Sequence, residues 1–202
     1  MQGVELSPDN KKKLESIDNV TVLDDTYKLE LCSVNKRAYC IGYRYAFFYD
    51  QVLNKFDADS FLLIDADLWS EKDLSVMLRQ FNKSDYDLCT KLKKKSGVFR
   101  AFGMQMVKNN ETINKFYKEY YDIINSEQRL EQVVWHLGKY KFIDSCVANS
   151  ALEETGIIDT IKLADFKEFE FSSYIPFMHG KRFRRSESYK EIREKLLSIG
   201  MK

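Results

Sequence analysis

The stretch FLLIDADLW, residues 61–69, joins an unbroken apolar run to two carboxylates that stand one residue apart. A run of this kind predicts a β-strand over residues 61–64, covered on both faces. Ligands of open α/β sheets bind beyond the carboxyl ends of the strands, which is where Asp65 and Asp67 fall. Carboxylate oxygens are the ligands that Mg²⁺ and Mn²⁺ prefer. The stretch therefore predicts a divalent-metal site at the edge of an α/β sheet.

Strand-like and helical patterns alternate on both sides of this stretch. Short β-rich runs stand at residues 20–23, 29–32, 86–92, 98–107 and 157–163. Apolar residues recur at helical spacing over residues 43–56, 74–81, 113–124 and 130–137. Ser70 is the expected N-cap of the second of these helices. The alternation predicts one α/β domain over residues 1–202, with a mixed, mostly parallel sheet flanked by helices.

Composition limits the classes of protein to which the chain belongs. Of its 202 residues 44% are hydrophobic, enough for one sizeable core, and 32 basic against 31 acidic residues leave a net charge of +1. So balanced a charge offers no field that would draw the protein to nucleic acid. The sequence shows neither an apolar leader nor the ~18 apolar residues of a membrane span, and its four cysteines lack metal-ligand spacing. We therefore expect a cytoplasmic protein with reduced thiols and no integral membrane segment.

A charged segment near the end of the chain, residues 186–202, carries an apolar stripe at helical spacing. The stripe consists of Tyr189, Ile192, Leu196 and Ile199. It predicts a C-terminal amphipathic helix that docks on the domain, with peripheral contact to a membrane or a partner as the alternative.

The two histidines differ in their surroundings. His136 lies within a helical pattern, where packing or exposure to solvent is the expected role. His179 precedes Gly180, Lys181 and Arg182, a combination that suits an anion site because glycine lets the backbone approach a ligand closely. The alternative is a basic loop before the last helix.

Four segments together carry a resemblance to a known family. DADSFLLIDADLW (57–69) resembles the central segment of metal-dependent glycosyltransferases of the GT-A fold, in which an Asp-x-Asp motif follows a hydrophobic strand. VFRAFGMQMVKNN (98–110) resembles the strand beside the acceptor sugar in those enzymes. SEQRLEQVVWHLGKYKFID (126–144) resembles an Asp-Gln helix and the buried strand after it, and PFMHGKRFRR (176–185) a C-terminal His-x-Gly-x-Lys motif. The segments occur in the order of that family.

This resemblance implies a GT-A-like, Rossmann-like fold and a set of site residues. Asp67 is expected to bind the metal directly, and Asp65 to bind the metal or the donor ribose. His179 completes the coordination, and Lys181 contacts the phosphates of the donor. Gly103 is expected beside the bound nucleotide-sugar. The implied reaction transfers a sugar from a UDP- or GDP-sugar to a saccharide or other hydroxyl acceptor, with Mn²⁺ or Mg²⁺.

Residues 20–25, VTVLDD, are the candidate for a nucleotide-binding strand, with Asp24 or Asp25 at its tip. Families of the GT-A fold place more chain before their Asp-x-Asp motif than the 64 residues found here. Either the protein is a version of this fold with a short nucleotide lobe, or the sequence lacks its beginning, and the donor base stays open.

The sequence offers several candidates for the catalytic base and for roles near the acceptor. Asp144 directly follows the short run 140–143 and could deprotonate an acceptor hydroxyl if the anomeric configuration is inverted. Glu127, Gln128 and Glu131 compete for roles near the acceptor.

Other classes of protein also place two aspartates one residue apart. Haloacid-dehalogenase-type phosphatases do so after an apolar strand, but their motif lies near the N-terminus and continues with Gly-Thr, where Leu68 and Trp69 stand here. Toprim-type nucleases need a preceding Glu-Gly strand end that the sequence lacks. A nucleotide-sugar-binding protein without turnover is the remaining alternative to the transferase.

Overall fold

A computed structural model of the chain describes residues 2–3, 7–24, 36–64, 70, 72–92, 99–137, 143–174, 190–191 and 194. A short parallel pair, β1 (Gln2–Gly3) and β2 (Leu23–Asp24), precedes the strands of a four-stranded sheet, which are β3 (Ser60–Leu63), β4 (Leu88–Leu92), β5 (Phe99–Lys108) and β6 (Leu163–Asp165). The α-helices are α1 (Pro8–Glu15), α2 (Lys36–Phe48), α3 (Leu74–Lys83), α4 (Glu111–Ile124), α5 (Glu127–Leu137), α6 (Ile143–Thr155) and α7 (Phe171–Tyr174). The described residues thus confirm a mixed α/β architecture.

The four-stranded sheet has the order β3-β5-β4-β6. β5 is antiparallel to both of its neighbours, whereas β4 and β6 are parallel, so β3, β4 and β6 all run in one direction. The expected mixed sheet is confirmed, but in this sheet β4 and β6 are the one parallel pair of neighbours. Only residues 93–98 separate β4 from β5, too few for the crossover of about a dozen residues that parallel pairing needs. We call the edge where β3, β4 and β6 end, and β5 begins, the carboxyl edge.

Side chains alternate between the two faces of this sheet, and helices cover both faces. On one face Phe61, Leu63 and Val107 pack in a core with α2, α4 and α6. On the other, Leu62 and Met106 pack with α3 and the segment 166–174. β3 therefore contacts a core through each of its faces, which accounts for its unbroken apolar sequence.

Helix α3 lies where the sequence predicts, but its N-cap is Asp73 rather than Ser70. The backbone N–H of Ser75 donates to Asp73 Oδ1 at 2.9 Å, and the Ser75 hydroxyl donates to Oδ2 at 2.7 Å. The Ser70 hydroxyl donates instead to the carbonyl of Tyr174 at 3.1 Å. Asp73 takes the capping role because it directly precedes the first helical residue.

Two further sequence predictions are corrected in their bounds. Helix α2 begins at Lys36, and a π-helical turn, Tyr49–Leu53, ends the helix expected over residues 43–56. The strand expected at 157–163 is confined to β6, because residues 157–161 form a turn in which Thr160 N–H donates to the Ile157 carbonyl at 2.9 Å. The expected strand at 29–32 lies outside the described residues.

The strand that the sequence places before Asp144 is wrong at its end, since Ile143 and Asp144 open helix α6. Ile143, Val147 and Ala151 follow one another at four-residue steps and are buried in the core with α2 and α4. The apolar character of Ile143 thus belongs to a helical stripe, which residues 140–143 alone cannot reveal.

In the segment 186–202 the structure describes residues 190, 191 and 194, all helical. Among the described residues, no helix combines the length and the apolar character needed to cross a membrane.

Candidate active site at the carboxyl edge

Strand β3 leads directly to the Asp-x-Asp motif. Its last residue, Leu63, pairs with Gln105 of β5, and the next residue, Ile64, is 47% exposed. In the sequence Asp65-Ala66-Asp67 follow at once, outside the described residues. Neighbouring strands carry Thr90 and Asp165 as register partners close to the same edge. In the sequence, the motif therefore follows a strand that ends where ligands of α/β sheets bind.

Strand β5 bulges beside the end of β3. Cys89 pairs with Met106, but Lys91 pairs with Ala101, so β5 advances further than β4 between these two pairs. Residues 102–105 of β5 stand opposite Thr90 alone, and we call these four residues the β5 bulge. Bulges interrupt the ladder of backbone hydrogen bonds and occur often next to active sites, because they redirect the strand.

Side-chain hydroxyls from neighbouring elements bind consecutive residues of the β5 bulge. Tyr45 of α2 donates to the carbonyl of Gly103. Thr90 of β4 donates to the carbonyl of Met104 at 3.2 Å, and Tyr117 of α4 donates to Oε1 of Gln105. These bonds supply partners for polar groups of a segment in which Gln105 is fully buried.

Burial keeps the tyrosine at Gln105 in its donating form. It raises the pKa of Tyr117 well above the usual range for tyrosine, since the interior disfavours the phenolate. Tyr120 has a raised pKa too, through burial and then through the nearby carboxylate of Asp144, and its hydroxyl donates to the Gly42 carbonyl at 2.9 Å. Both phenols are therefore hydrogen-bond donors at neutral pH.

Asp144 lies in the first turn of α6 and pairs with Arg44 of α2. Its Oδ2 is 3.7 Å from Arg44 Nη2, and its Oδ1 accepts the N–H of Ser145 at 2.9 Å. The Arg44 guanidinium in turn lies 4.7 Å from the ring centre of Tyr45. Through these contacts the structure brings Asp144 and Gly103, both candidates from the sequence, into one connected group with Arg44 and Tyr45.

The middle of α6 is also tied to the start of β5. Asn149 Oδ1 accepts the backbone N–H of Phe99 at 3.2 Å. Phe99 is the first residue of β5 and pairs with Leu92, the last residue of β4. The middle of helix α6 therefore contacts the sheet at the carboxyl edge.

Glu127 and Gln128 are exposed in the first turn of α5, away from that group. Their neighbour Arg129 pairs with Glu119 of α4 and, at 2.6 Å, with Glu154 near the end of α6. At 1.5 Å per residue, Glu154 is about 15 Å along α6 from Asp144. The structure thus does not bring these two candidates together with Asp144.

The described carboxylates at the carboxyl edge are bound by protein groups. Asp165 accepts the N–H of Leu92 at 3.2 Å and that of Lys167 at 3.2 Å. Asp144 pairs with Arg44. Within the described ranges, no group of three or more His, Cys, Asp or Glu side chains could hold a metal ion.

The other site residues predicted from the sequence lie elsewhere. Asp24 ends β2, and the remainder, Asp65, Asp67, Asp25, His179, Lys181 and Arg182, lie outside the described residues.

Sequence reasoning missed Arg44, Tyr45 and Tyr117. Their bonds join residues that are not neighbours in the chain, and Tyr117 stands in an apolar stripe whose expected role is packing. One signal was present. Gln105 stands between two methionines in a strand, so strand alternation places its amide on the same face as the buried Val107.

No protein-family model, curated protein or solved structure matches this chain. Its function is therefore inferred from the Asp-x-Asp motif and from the carboxyl edge.

Proposed function

We propose that this protein transfers a sugar from a UDP- or GDP-sugar to a hydroxyl acceptor, with Mn²⁺ or Mg²⁺ as cofactor. One observation carries the proposal. In the sequence, the Asp65-Ala66-Asp67 motif follows β3, a strand packed on both faces, whose carboxyl end lies beside the β5 bulge. The resemblance of four ordered segments to GT-A glycosyltransferases supports the same reaction.

Asp65, Asp67 and His179 are the residues that would hold the metal. Their oxygen and nitrogen donors suit Mn²⁺ or Mg²⁺. The carboxylates of Asp144 and Asp165 are bound by protein groups, so they do not compete as ligands. When bound, the ion neutralises the charge that develops on the leaving diphosphate.

Basic and backbone groups of the chain bind the rest of the donor in this proposal. Lys181 and Arg182 hold the phosphates by charge-assisted hydrogen bonds. Asp24 or Asp25 binds the nucleoside, and Gly103 lies against the sugar. The acceptor approaches β5 at the carboxyl edge, where its hydroxyl attacks the anomeric carbon.

Among the residues considered as base, Asp144 and Glu127 can accept a proton, whereas the amide of Gln128 cannot. Asp144 lies nearer the carboxyl edge, but its residue is 7% exposed and pairs with Arg44. Glu127 is exposed, although it lies toward the far end of α6. We therefore assign Asp144 to holding Arg44 and α2 in place, and we give neither residue the role of base, because Glu127 lies too far from the carboxyl edge to reach the acceptor hydroxyl.

Calorimetric titration tests the metal site, using UDP and GDP with and without Mn²⁺. We expect nucleotide binding to need Mn²⁺ and to be lost in Asp67→Ala. The chain offers a matched control, because the same Asp-Ala-Asp triplet occurs at residues 57–59, before β3. Asp57 is exposed and stands at the opposite end of the strand, so Asp57→Ala should bind like the wild type. Binding that is independent of metal, or equally weakened by both substitutions, would reject the metal site.

Turnover separates the transferase from its alternatives. A transferase releases UDP or GDP from its nucleotide-sugar when an acceptor is present. Metal-dependent binding without release with any acceptor would indicate a binding protein instead. Release of free phosphate from p-nitrophenyl phosphate would indicate a phosphatase.

A further inference from the structure

We propose that Tyr45 is a positioning residue, whose hydroxyl holds the β5 bulge and thereby sets where β3 presents the Asp-x-Asp motif. This inference rests on the function proposed above. It adds a residue of α2, far from the motif in sequence, to those on which the metal and donor site depends.

The Tyr45 hydroxyl binds β5 at the bulge, where the backbone pairing between β4 and β5 is irregular. Between the pairs Cys89–Met106 and Lys91–Ala101, residues of β5 exceed those of β4, so the carbonyls of the bulge depart from the regular pattern. Gly103 and Met104 are consecutive, and their carbonyls accept from Tyr45 and from Thr90. The bulge is therefore fixed by side chains of neighbouring elements.

The direction of the Tyr45 hydroxyl is itself fixed. Tyr45 is 1% exposed, and its ring contacts the edge of Tyr120 with the ring centres 5.8 Å apart. Arg44 lies over the ring and pairs with Asp144 of α6. A ring held from two sides cannot turn to let its hydroxyl follow a displaced carbonyl.

A short path leads from Tyr45 to the motif. Gly103 is two residues from Gln105, which pairs with Leu63 at the end of β3. The Tyr117 hydroxyl donates a hydrogen bond to the side-chain oxygen of Gln105 and holds that side chain in place. Asp65 is two residues beyond Leu63 in the sequence, so the bulge adjoins the last pair between β3 and β5 before the motif. Small displacements matter here because binding and catalytic geometry tolerate errors of well under 1 Å.

The experiment compares Tyr45→Phe with Tyr120→Phe. Each change removes one hydroxyl from a fully buried tyrosine, but the Tyr120 hydroxyl binds Gly42 of α2 rather than the bulge. Amide hydrogen exchange is measured in a peptide covering residues 99–108, and calorimetry gives the Kd for UDP in the presence of Mn²⁺. We expect Tyr45→Phe to speed exchange in that peptide and to weaken UDP binding about tenfold. Tyr120→Phe should leave the Kd within about twofold of wild type, even if both variants lose similar stability.

Tyr117→Phe is the second variant, in case Tyr45→Phe fails to fold, and it should act in the same direction through Gln105. Equal effects of Tyr45→Phe and Tyr120→Phe on exchange and on Kd would overturn the positioning role. Failure of the proposed function gives a different result, namely no Mn²⁺-dependent UDP or GDP binding by the wild type. Even then the exchange measurement decides whether Tyr45 holds the bulge.

Discussion

The guanidinium of Arg44 lies 3.7 Å from the carboxylate of Asp144, which joins the middle of α2 to the first turn of α6. Asp144 is nearly buried, while the Arg44 side chain is 28% exposed. Removal of the carboxylate leaves the arginine partly desolvated without this charge partner. We therefore expect Asp144→Ala to lower the free energy of unfolding by about 1–3 kcal/mol, less than for a fully buried pair because water reaches Arg44. Urea denaturation measures the change.

Two further variants separate structure from catalysis at this pair. Asp144→Asn keeps an oxygen acceptor and should cost less stability than Asp144→Ala. Adding Arg44→Met to Asp144→Ala should recover part of the loss, since the cation is then gone too. The positioning role of Asp144 is refuted if Asp144→Asn retains full stability but reduces sugar transfer by about 100-fold or more, as expected for a general base.

Patterns that depend on local periodicity were readable from the sequence. The strand at 61–64 and the helices at 74–81 and 113–124 are confirmed to within a few residues. Each is specified by the spacing of its own apolar residues, because each buries them against a core. The mixed α/β class follows from the same alternation.

Features that depend on pairing between distant residues were not readable. The bond from Tyr45 to Gly103 spans 58 residues, and nothing local marks either partner. The β5 bulge exists only relative to β4, so no pattern within β5 predicts it. Asp144 was misplaced on a strand because a run of four residues fits a strand end and a helix start equally well. The assignment of the Asp-x-Asp motif to a metal site rests on the sequence, since Asp65 and Asp67 lie outside the described residues.

The N-cap of α3 gives a pH dependence whose sign is fixed. Hydrogen bonds from the Ser75 hydroxyl and then from its backbone N–H lower the pKa of Asp73 below its usual value. A carboxyl with a lowered folded-state pKa stabilises the fold above its unfolded pKa, and this contribution is lost as the pH falls through the folded pKa. We expect Asp73→Ala to lower Tm at pH 7, and the difference from wild type to shrink below about pH 4.

Asp73→Asn provides the control for this cap. Its amide oxygen still accepts the Ser75 N–H but carries no titrating charge. Its Tm should therefore fall less than that of Asp73→Ala at pH 7. A Tm difference between wild type and Asp73→Ala that stays constant from pH 7 to pH 3 would show that the charged form contributes nothing.

The Cys89 thiol should be unreactive in the folded protein. It is fully buried between β5 and β6 in the core that includes Met77, and burial raises its pKa above the usual range, with Asp165 and Glu168 adding to the shift. Because the thiolate is the reactive form, iodoacetamide should label Cys89 only after unfolding. Mass spectrometry of labelled peptides, in buffer and in urea, measures this. Labelling in buffer as fast as in urea would contradict the buried position.

Gly42 lies where α2 faces α4 and α6. A Cβ added there would stand 3.1 Å from Ile124 Cδ1 and 3.1 Å from Ile143 Cγ2. Gly42→Leu should therefore overpack the core and lower the free energy of unfolding by about 1–3 kcal/mol. For Gly42→Ala, the gain of about 1 kcal/mol in helix propensity is offset by the strain of the two close Cβ contacts, which is smaller than the strain of leucine, so the net change should be small. Equal stability of the Leu and Ala variants in urea denaturation would show that the helices can separate freely.

Gly103 offers the opposite test, because space is available around it. An added Cβ at Gly103 meets nothing within 4 Å, so Gly103→Ala should change the free energy of unfolding by less than about 0.5 kcal/mol. If the bound sugar lies against this position, the same methyl group takes space that the ligand needs. We therefore expect weaker binding of UDP-glucose or GDP-mannose with Mn²⁺, and binding of UDP or GDP alone close to wild type. Calorimetry with the nucleotide and the nucleotide-sugar separates the two effects. Unchanged affinity for both ligands would place the sugar away from Gly103, since the added methyl group has no protein neighbour to hide it.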